Sequence, residues 1–189
     1  FDAVVVGAGF GGLYAVHKLR DEQGLRVQAY DNASDVGGTW YWNRYPGALS
    51  DTESFCYRFS FDKEGLENAR WKNRYLTQPD VADRYDLRRS YQFHTKVTAA
   101  HFDESTQLWR VWTDKDQMVT AKYLVTGLGL LSVTNKPPFD GMDTFKGEII
   151  HTGAWPEGMD LSGQRVGVVG TGSTGVQVII AMAETAEHL

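Results

Sequence analysis

Three groups of residues have the types and spacing to do chemistry. The first is Gly7-Ala8-Gly9-Phe10-Gly11-Gly12, which fits G-x-G-x-x-G, with Asp31 about 20 residues further on. The second is Gly170-Thr171-Gly172-Ser173-Thr174-Gly175, which repeats that spacing. The third is Phe145-Lys146-Gly147-Glu148-Ile149-Ile150-His151-Thr152-Gly153-Ala154-Trp155-Pro156, where an imidazole and an indole follow a glycine at fixed intervals. A G-x-G-x-x-G turn that opens a helix presents backbone N–H groups and the positive end of the helix dipole to a pyrophosphate. Within the first turn, Gly7 serves the tight bend, Gly9 the approach of the pyrophosphate, and Gly12 close packing of helix on strand. A carboxylate at Asp31 can accept ribose hydroxyls.

These turns need particular elements around them. Asp2 to Val6 is a short apolar run and reads as a buried parallel strand. Residues 13 to 23 follow as a helix with Leu13, Val16 and Leu19 on one face, and Arg26 to Tyr30 is the next strand. Strand, glycine turn, helix, strand and acid make a dinucleotide-binding βαβ unit. Arg165 to Val169 reads as another strand, and Val176 to His188 as a helix with Val176, Ile180 and Ala183 on one face. Two such turns, each between a strand and a helix, call for two dinucleotides.

The composition is that of a globular protein. The 189 residues are 42% hydrophobic and 23% charged, with a net charge of −5 and no basic stripe, so nucleic acid is not an expected partner. No apolar run reaches the roughly 18 residues of a membrane span. The single cysteine, Cys56, excludes a disulfide framework and a multi-cysteine metal site. It fits a cytoplasmic location and is expected to be a small packed hydrophobe. His17, His94, His101 and His188 are expected at surface or strand positions without partners; neither metal-ligand spacing nor a Ser/His/Asp arrangement appears. The chain opens at Phe1, without a methionine, and enters a strand at once; it closes at Leu189 inside what reads as a helix, the pattern expected of a piece of a longer protein.

The residues after Asp31 carry a resemblance. Asp35-Val36-Gly37-Gly38-Thr39-Trp40 brings a second glycine pair beside the first turn, and Tyr123-Leu124-Val125-Thr126-Gly127 is a strand running into glycine. Both resemble the FAD domain of flavoproteins with two dinucleotide domains. The 91–121 region, with strands at Tyr91–Phe93, Val97–Phe102 and Leu108–Thr113, is then the small antiparallel β-layer of such domains. The signature F-x-G-x-x-x-H-x-x-x-W-P over Phe145, Gly147, His151, Trp155 and Pro156 is that of type I Baeyer–Villiger monooxygenases. The run Trp40-Tyr41-Trp42-Asn43-Arg44-Tyr45-Pro46-Gly47-Ala48-Leu49-Ser50-Asp51-Thr52-Glu53-Ser54 is similar to cyclohexanone monooxygenases within that family. Read singly, His151 and Trp155 would be packing residues.

The resemblance implies an α/β fold: an FAD-binding Rossmann-like domain with a small antiparallel β-layer, plus the first β-α of a second, NADP-binding Rossmann domain. The domains would be 1–130 for FAD (without its return segment), 131–163 for a linker carrying the signature, and 164–189 for the start of the NADP domain. The implied reaction inserts one oxygen atom of O2 beside the carbonyl of a cyclic ketone, through a C4a-peroxyflavin, giving an ester or lactone. FAD would be held by Gly7, Gly9, Gly12, Asp31, Gly38, Thr39, Trp40, Tyr41, Trp42, Asp51, Tyr57 and Val97. NADP(H) would be held by Leu49, Ser50, Asp51, Gly170, Thr171, Gly172, Ser173, Thr174, Gly175 and Gln177. Asp51 would orient a catalytic arginine that lies beyond this chain; its alternative is to cap the Thr52-Glu53-Ser54 turn. Trp40 and Trp42 have a plain alternative as core aromatics. No metal, membrane or partner protein is implied. Family members run to well over twice this length and have roughly two more helical turns after Pro79, so the helix expected from Asp80 is short. Alone, a chain of this extent is expected not to oxygenate ketones, and to leave Val166, Val168, Val176 and Ile180 uncovered. Two other readings stay open: a related flavin monooxygenase that oxidises nitrogen or sulfur, and an FAD-binding module without turnover.

Overall fold

The computed structural model describes residues 1–53, 56–63, 82 and 85–189. The helix expected from Asp80, the stretch after Pro79 and Ser54 lie outside the described residues. The chain divides into two compact units. One holds residues 1–41 and the described residues between 59 and 130; the other holds the described residues from 42 to 58 together with 131–189.

In the first unit, β1 (Ala3–Val6) pairs in parallel with β2 (Val27–Tyr30) on one side and β7 (Tyr123–Thr126) on the other. β3 (Tyr91–Gln92) adds to β2, also in parallel, giving the order β3-β2-β1-β7. Between β1 and β2 runs α1 (Phe10–Val16), continued by a wider, π-type turn over His17–Glu22. A second sheet, β4 (Val97–Asp103), β5 (Leu108–Thr113) and β6 (Met118–Ala121), is antiparallel.

The apolar run of β1 follows from burial on both faces. Successive side chains of a strand point to opposite faces. Val5 packs with Leu13 and Val16 of α1 and with Ala29, while Val4 packs with Tyr30, Val111 and Ala121 on the side of the antiparallel sheet. Both valines are fully buried, worth roughly 1.5–3 kcal/mol apiece. The expected helix face of Leu13, Val16 and Leu19 faces this core.

Two expectations for this unit need correcting. Tyr91 belongs to the parallel sheet, opposite Ala29, and not to the β-layer. The third strand of the β-layer is Met118–Ala121. A short apolar run does not itself declare which sheet it joins. His17, expected without partners, is buried: its Nδ1 lies 3.0 Å from Asp21 Oδ2 and its ring stacks on Phe61 with centroids 4.0 Å apart.

The short helix α2 (Thr39–Trp42) has only its last residue in the second unit, which is built around α3 (Ser173–Ala183). Its core is Tyr45, Val178 and Met182, with Ala48, Trp155, Leu161, Val168 and Ala181 against it. The helix expected over Val176–His188 thus starts and ends earlier. Its expected apolar face is the open one: Val176 is 50% and Ile180 63% exposed, and Ala183 is exposed as well. The helix carries two apolar stripes, and Tyr45 and Ala48 cover the one formed by Val178 and Met182. The strand expected at Arg165–Val169 is reduced to one parallel bridge, Arg165 with His188. A strand is defined by its neighbours, and among the described residues this segment pairs only there. Val166 and Val168 are half-buried. Cys56, expected to be packed, is exposed.

Candidate nucleotide-binding site

In the first unit the chain leaves β1 at Gly7, whose φ is +106°, and Gly7 N–H donates to Tyr30 O at 2.8 Å. A side chain at Gly12 would overlap the Gly7 carbonyl, so only glycine lets α1 start this close to the strand end. Gly9 caps α1 without a side-chain hydrogen bond, which leaves the first-turn donors to a ligand.

Asp31 directly follows β2, is 9% exposed, and turns its carboxylate towards this bend. Its Oδ2 accepts the Ala8 N–H at 2.6 Å and its Oδ1 the Ala33 N–H at 2.7 Å. Asp31 therefore fixes the glycine turn and the start of the next loop. A carboxylate has about four acceptor positions, so hydroxyls can still be taken. That loop returns to the first turn. Gly37 N–H donates to Ala8 O at 3.0 Å, and Gly38, at φ +55°, is so near that a Cβ there would lie 2.6 Å from Gly9 Cα. Two glycine backbones thus face each other with room for nothing but backbone, the kind of cradle a pyrophosphate needs.

Thr39, Trp40 and Tyr41 follow directly. Trp40 is half-buried and Tyr41 shares a 2.7 Å hydrogen bond with Ser34 Oγ. Val97, the first residue of β4, packs on the Val4 and Tyr30 side of the parallel sheet. Trp42, Asp51 and Tyr57 belong to the second unit. Trp42 is exposed, so it is not a core aromatic.

The second glycine turn has the build of the first. Gly170 has a φ of +121°, a side chain at Gly175 would overlap the Gly170 carbonyl, and Gly172 caps α3 without a side-chain bond. The loop carrying Leu49, Ser50 and Asp51 is bound to this helix. Gln177 Nε2 donates to Leu49 O at 2.9 Å, and its Oε1 accepts from Leu49 N–H at 3.3 Å and from Tyr45 Oη at 2.8 Å. At the end of that loop, Asp51 Oδ2 accepts from Ser173 Oγ at 3.0 Å. Ser50, buried, caps the following turn by accepting Thr52 N–H at 3.2 Å, the role that was the alternative for Asp51. Gln177→Ala should lower stability by about 1 kcal/mol, through loss of three partly exposed hydrogen bonds. The midpoint of denaturant unfolding measures this, with Tyr45→Phe costing less.

In the signature segment, His151 Nδ1 accepts Gly153 N–H at 3.0 Å and caps the single turn Thr152–Ala154. A side chain at Gly147 would strike the Phe145 ring, and Trp155 joins the core of α3. Sequence reasoning missed Tyr45, Arg88 and Tyr91. Only the run around Tyr45 carried a signal, as part of the aromatic stretch.

Two glycine turns of one build, each opening a helix, have the geometry of dinucleotide-binding turns. The whole chain, residues 1–189, matches the pyridine nucleotide-disulphide oxidoreductase family and belongs to it. It is 71% identical to a Baeyer–Villiger monooxygenase of Pseudooceanicola batsensis, over 100% of this chain and 36% of that protein. It is 53% identical to phenazine N-monooxygenase PhzNO1 of Lysobacter antibioticus, again over 100% of this chain and 36% of the relative. Among solved structures, cyclohexanone monooxygenase from Rhodococcus sp. Phi1 bound to NADP+ superposes with a TM-score of 0.92 at 59% identity, over 100% of this chain and 37% of that one. The chain spans little more than a third of the length of these relatives. Among the described residues, no helix is long and apolar enough to cross a membrane.

Proposed function

We propose that this chain is the nucleotide-binding part of an FAD- and NADPH-dependent monooxygenase that inserts one oxygen atom of O2 next to the carbonyl of a cyclic ketone. The observation that carries the reading is the repeated glycine geometry: Gly12 against Gly7 in one unit, and Gly175 against Gly170 in the other. FAD is assigned to the first turn because Gly38 supplies a second backbone wall there. NADP(H) is assigned to the second turn, with Thr171, Ser173 and Thr174 beside its phosphates. Identity of 71% to a Baeyer–Villiger monooxygenase supports the ketone chemistry. A cytoplasmic location rests on the single cysteine.

When bound, the flavin supplies the oxygen chemistry; the protein supplies orientation, electrostatics and exclusion of water. Asp31 holds the first turn and is assigned the adenosine ribose. Gln177 holds the 49–51 loop against α3, which fixes where the Asp51 carboxylate stands. Asp51 is assigned to orient an arginine that would stabilise negative charge near the reacting oxygen. Trp155 and His151 shape the signature segment through packing and a cap.

A second reading has its own support. The phenazine N-monooxygenase is 53% identical over 100% of this chain. Nitrogen oxidation therefore remains the competing chemistry. The test is turnover by the full-length enzyme with NADPH and either cyclohexanone or phenazine, with products resolved chromatographically. Lactone without N-oxide supports the ketone reading; N-oxide alone reverses it.

A further inference from the structure

One short segment, Arg88–Tyr91, touches the Gly7–Gly12 turn and, through Asp35, the loop that leads into Gly37 and Gly38. Tyr91 Oη donates to the Gly7 carbonyl at 3.1 Å. It lies so close to Gly12 that a Cβ there would meet it at 3.2 Å. Burial, reinforced by the Asp31 charge, pushes the Tyr91 phenol well above its usual range, so it stays protonated and donating. Three residues earlier, Arg88 Nε donates to Asp35 Oδ1 at 2.7 Å and its Nη2 to Asp35 Oδ2 at 3.3 Å. Asp35 stands at the root of the Gly37–Gly38 turn: buried Val36 follows, then Gly37, bonded to Ala8, and Gly38, against Gly9.

The segment is itself anchored. Arg20, in the turn that continues α1, donates to the carbonyls of Tyr85 and Asp86 and to Ser90 Oγ at 2.8–3.0 Å. β3 ties Tyr91 to Ala29. The Arg88–Asp35 pair stays charged at neutral pH, because the Arg88 guanidinium holds the Asp35 carboxyl below the usual carboxylate range.

We propose that Arg88–Tyr91 is a brace, and that Arg88 is a positioning residue for the cofactor of the first site. Resting on the FAD reading above, the brace sets the spacing of the two glycine turns that together line the place assigned to the pyrophosphate. Glycine turns have more conformational freedom to lose than other residues. A segment that holds them in place beforehand removes ordering that the ligand would otherwise impose, and so strengthens binding without touching the ligand. The Asp35 carboxylate engages the charge of Arg88, so the effect is positional rather than an attraction for phosphate.

The experiment is an FAD titration of the full-length apoenzyme, run beside melting curves of the apo form. Arg88→Ala and Asp35→Ala should each raise the FAD dissociation constant roughly three- to tenfold, the range for a partly exposed bidentate pair. The double variant should be no worse than either single one, and Arg88→Lys should recover part of the loss. Tyr91→Phe, which removes only the hydroxyl, should speed FAD release while the protein stays folded. Unchanged FAD affinity, a fall in apo melting temperature alone, or additive effects in the double variant would each overturn the brace. A wild-type enzyme that takes up no FAD would overturn the cofactor assignment and the brace together.

Discussion

Asp31→Ala is expected to raise the FAD dissociation constant by roughly 10- to 150-fold, the equivalent of one lost charge-assisted hydrogen bond at about 1.5–3 kcal/mol. The structure shows why the loss extends beyond a ribose contact. One carboxylate oxygen holds Ala8 inside the glycine turn and the other holds Ala33 at the start of the loop leading to Gly38. Removing the carboxylate frees two buried N–H groups and loosens both walls of the pyrophosphate cradle. Asp31→Asn is the informative companion. An amide can satisfy one of the two N–H groups but points its own donor at the other, so affinity should fall nearly as far although the shape is kept. Flavin fluorescence during titration of the apoenzyme measures both variants. Wild-type affinity in Asp31→Ala would remove FAD from this turn.

Asp51→Ala in the full-length enzyme is expected to slow ketone oxygenation on the order of 100-fold, the scale for losing a preorganised electrostatic group. FAD content should fall far less, because Asp51 belongs to the loop clasped by Gln177 and not to the Gly7–Gly12 turn. The contact with Ser173 provides a control. Ser173→Ala removes the hydrogen bond to Asp51 but leaves the carboxylate, so turnover should drop only a few-fold. Steady-state kinetics with NADPH and cyclohexanone, with hydrogen peroxide release followed in parallel, separate the two variants. Wild-type rates with full coupling in Asp51→Ala would end its assignment as the orienting acid.

How much of this could be read from the sequence depended on how local the cause was. The first βαβ unit was legible because glycines, β-branched runs and the acid each act within a few residues of themselves. The glycine spacing at 170–175 was legible for the same reason. The placement of Tyr91 was not. Whether a short aromatic strand joins a parallel or an antiparallel sheet is decided by the partner, here Ala29, and nothing in Tyr91–Phe93 encodes it. The apolar face of α3 was misread because two stripes satisfy the same periodicity; the covered one was chosen by Tyr45, far away in sequence. For His17 the Asp21 partner one helical turn on was within reach of the pattern, whereas its burial against Phe61 comes from far along the chain. Asp31 was assigned a ligand contact, while the protein bonds it makes depend on how the turn folds back. The placement of Tyr91 and the choice of stripe on α3 are long-range effects, and local pattern carries no trace of them.

The clasp between Tyr45 and Gln177 joins residues 132 positions apart, and this has a consequence for synthesis on the ribosome. At about 5–20 residues per second, roughly 7–26 s pass between the appearance of Tyr45 and that of its partner. During that interval Tyr45 and Ala48 have no α3 to cover, while the strands that precede them can already pair. Folding of the second unit is therefore gated by translation of α3. A nascent chain stalled short of Gln177 leaves the Tyr45 hydroxyl without its side-chain partner and its ring without the α3 surface it packs on.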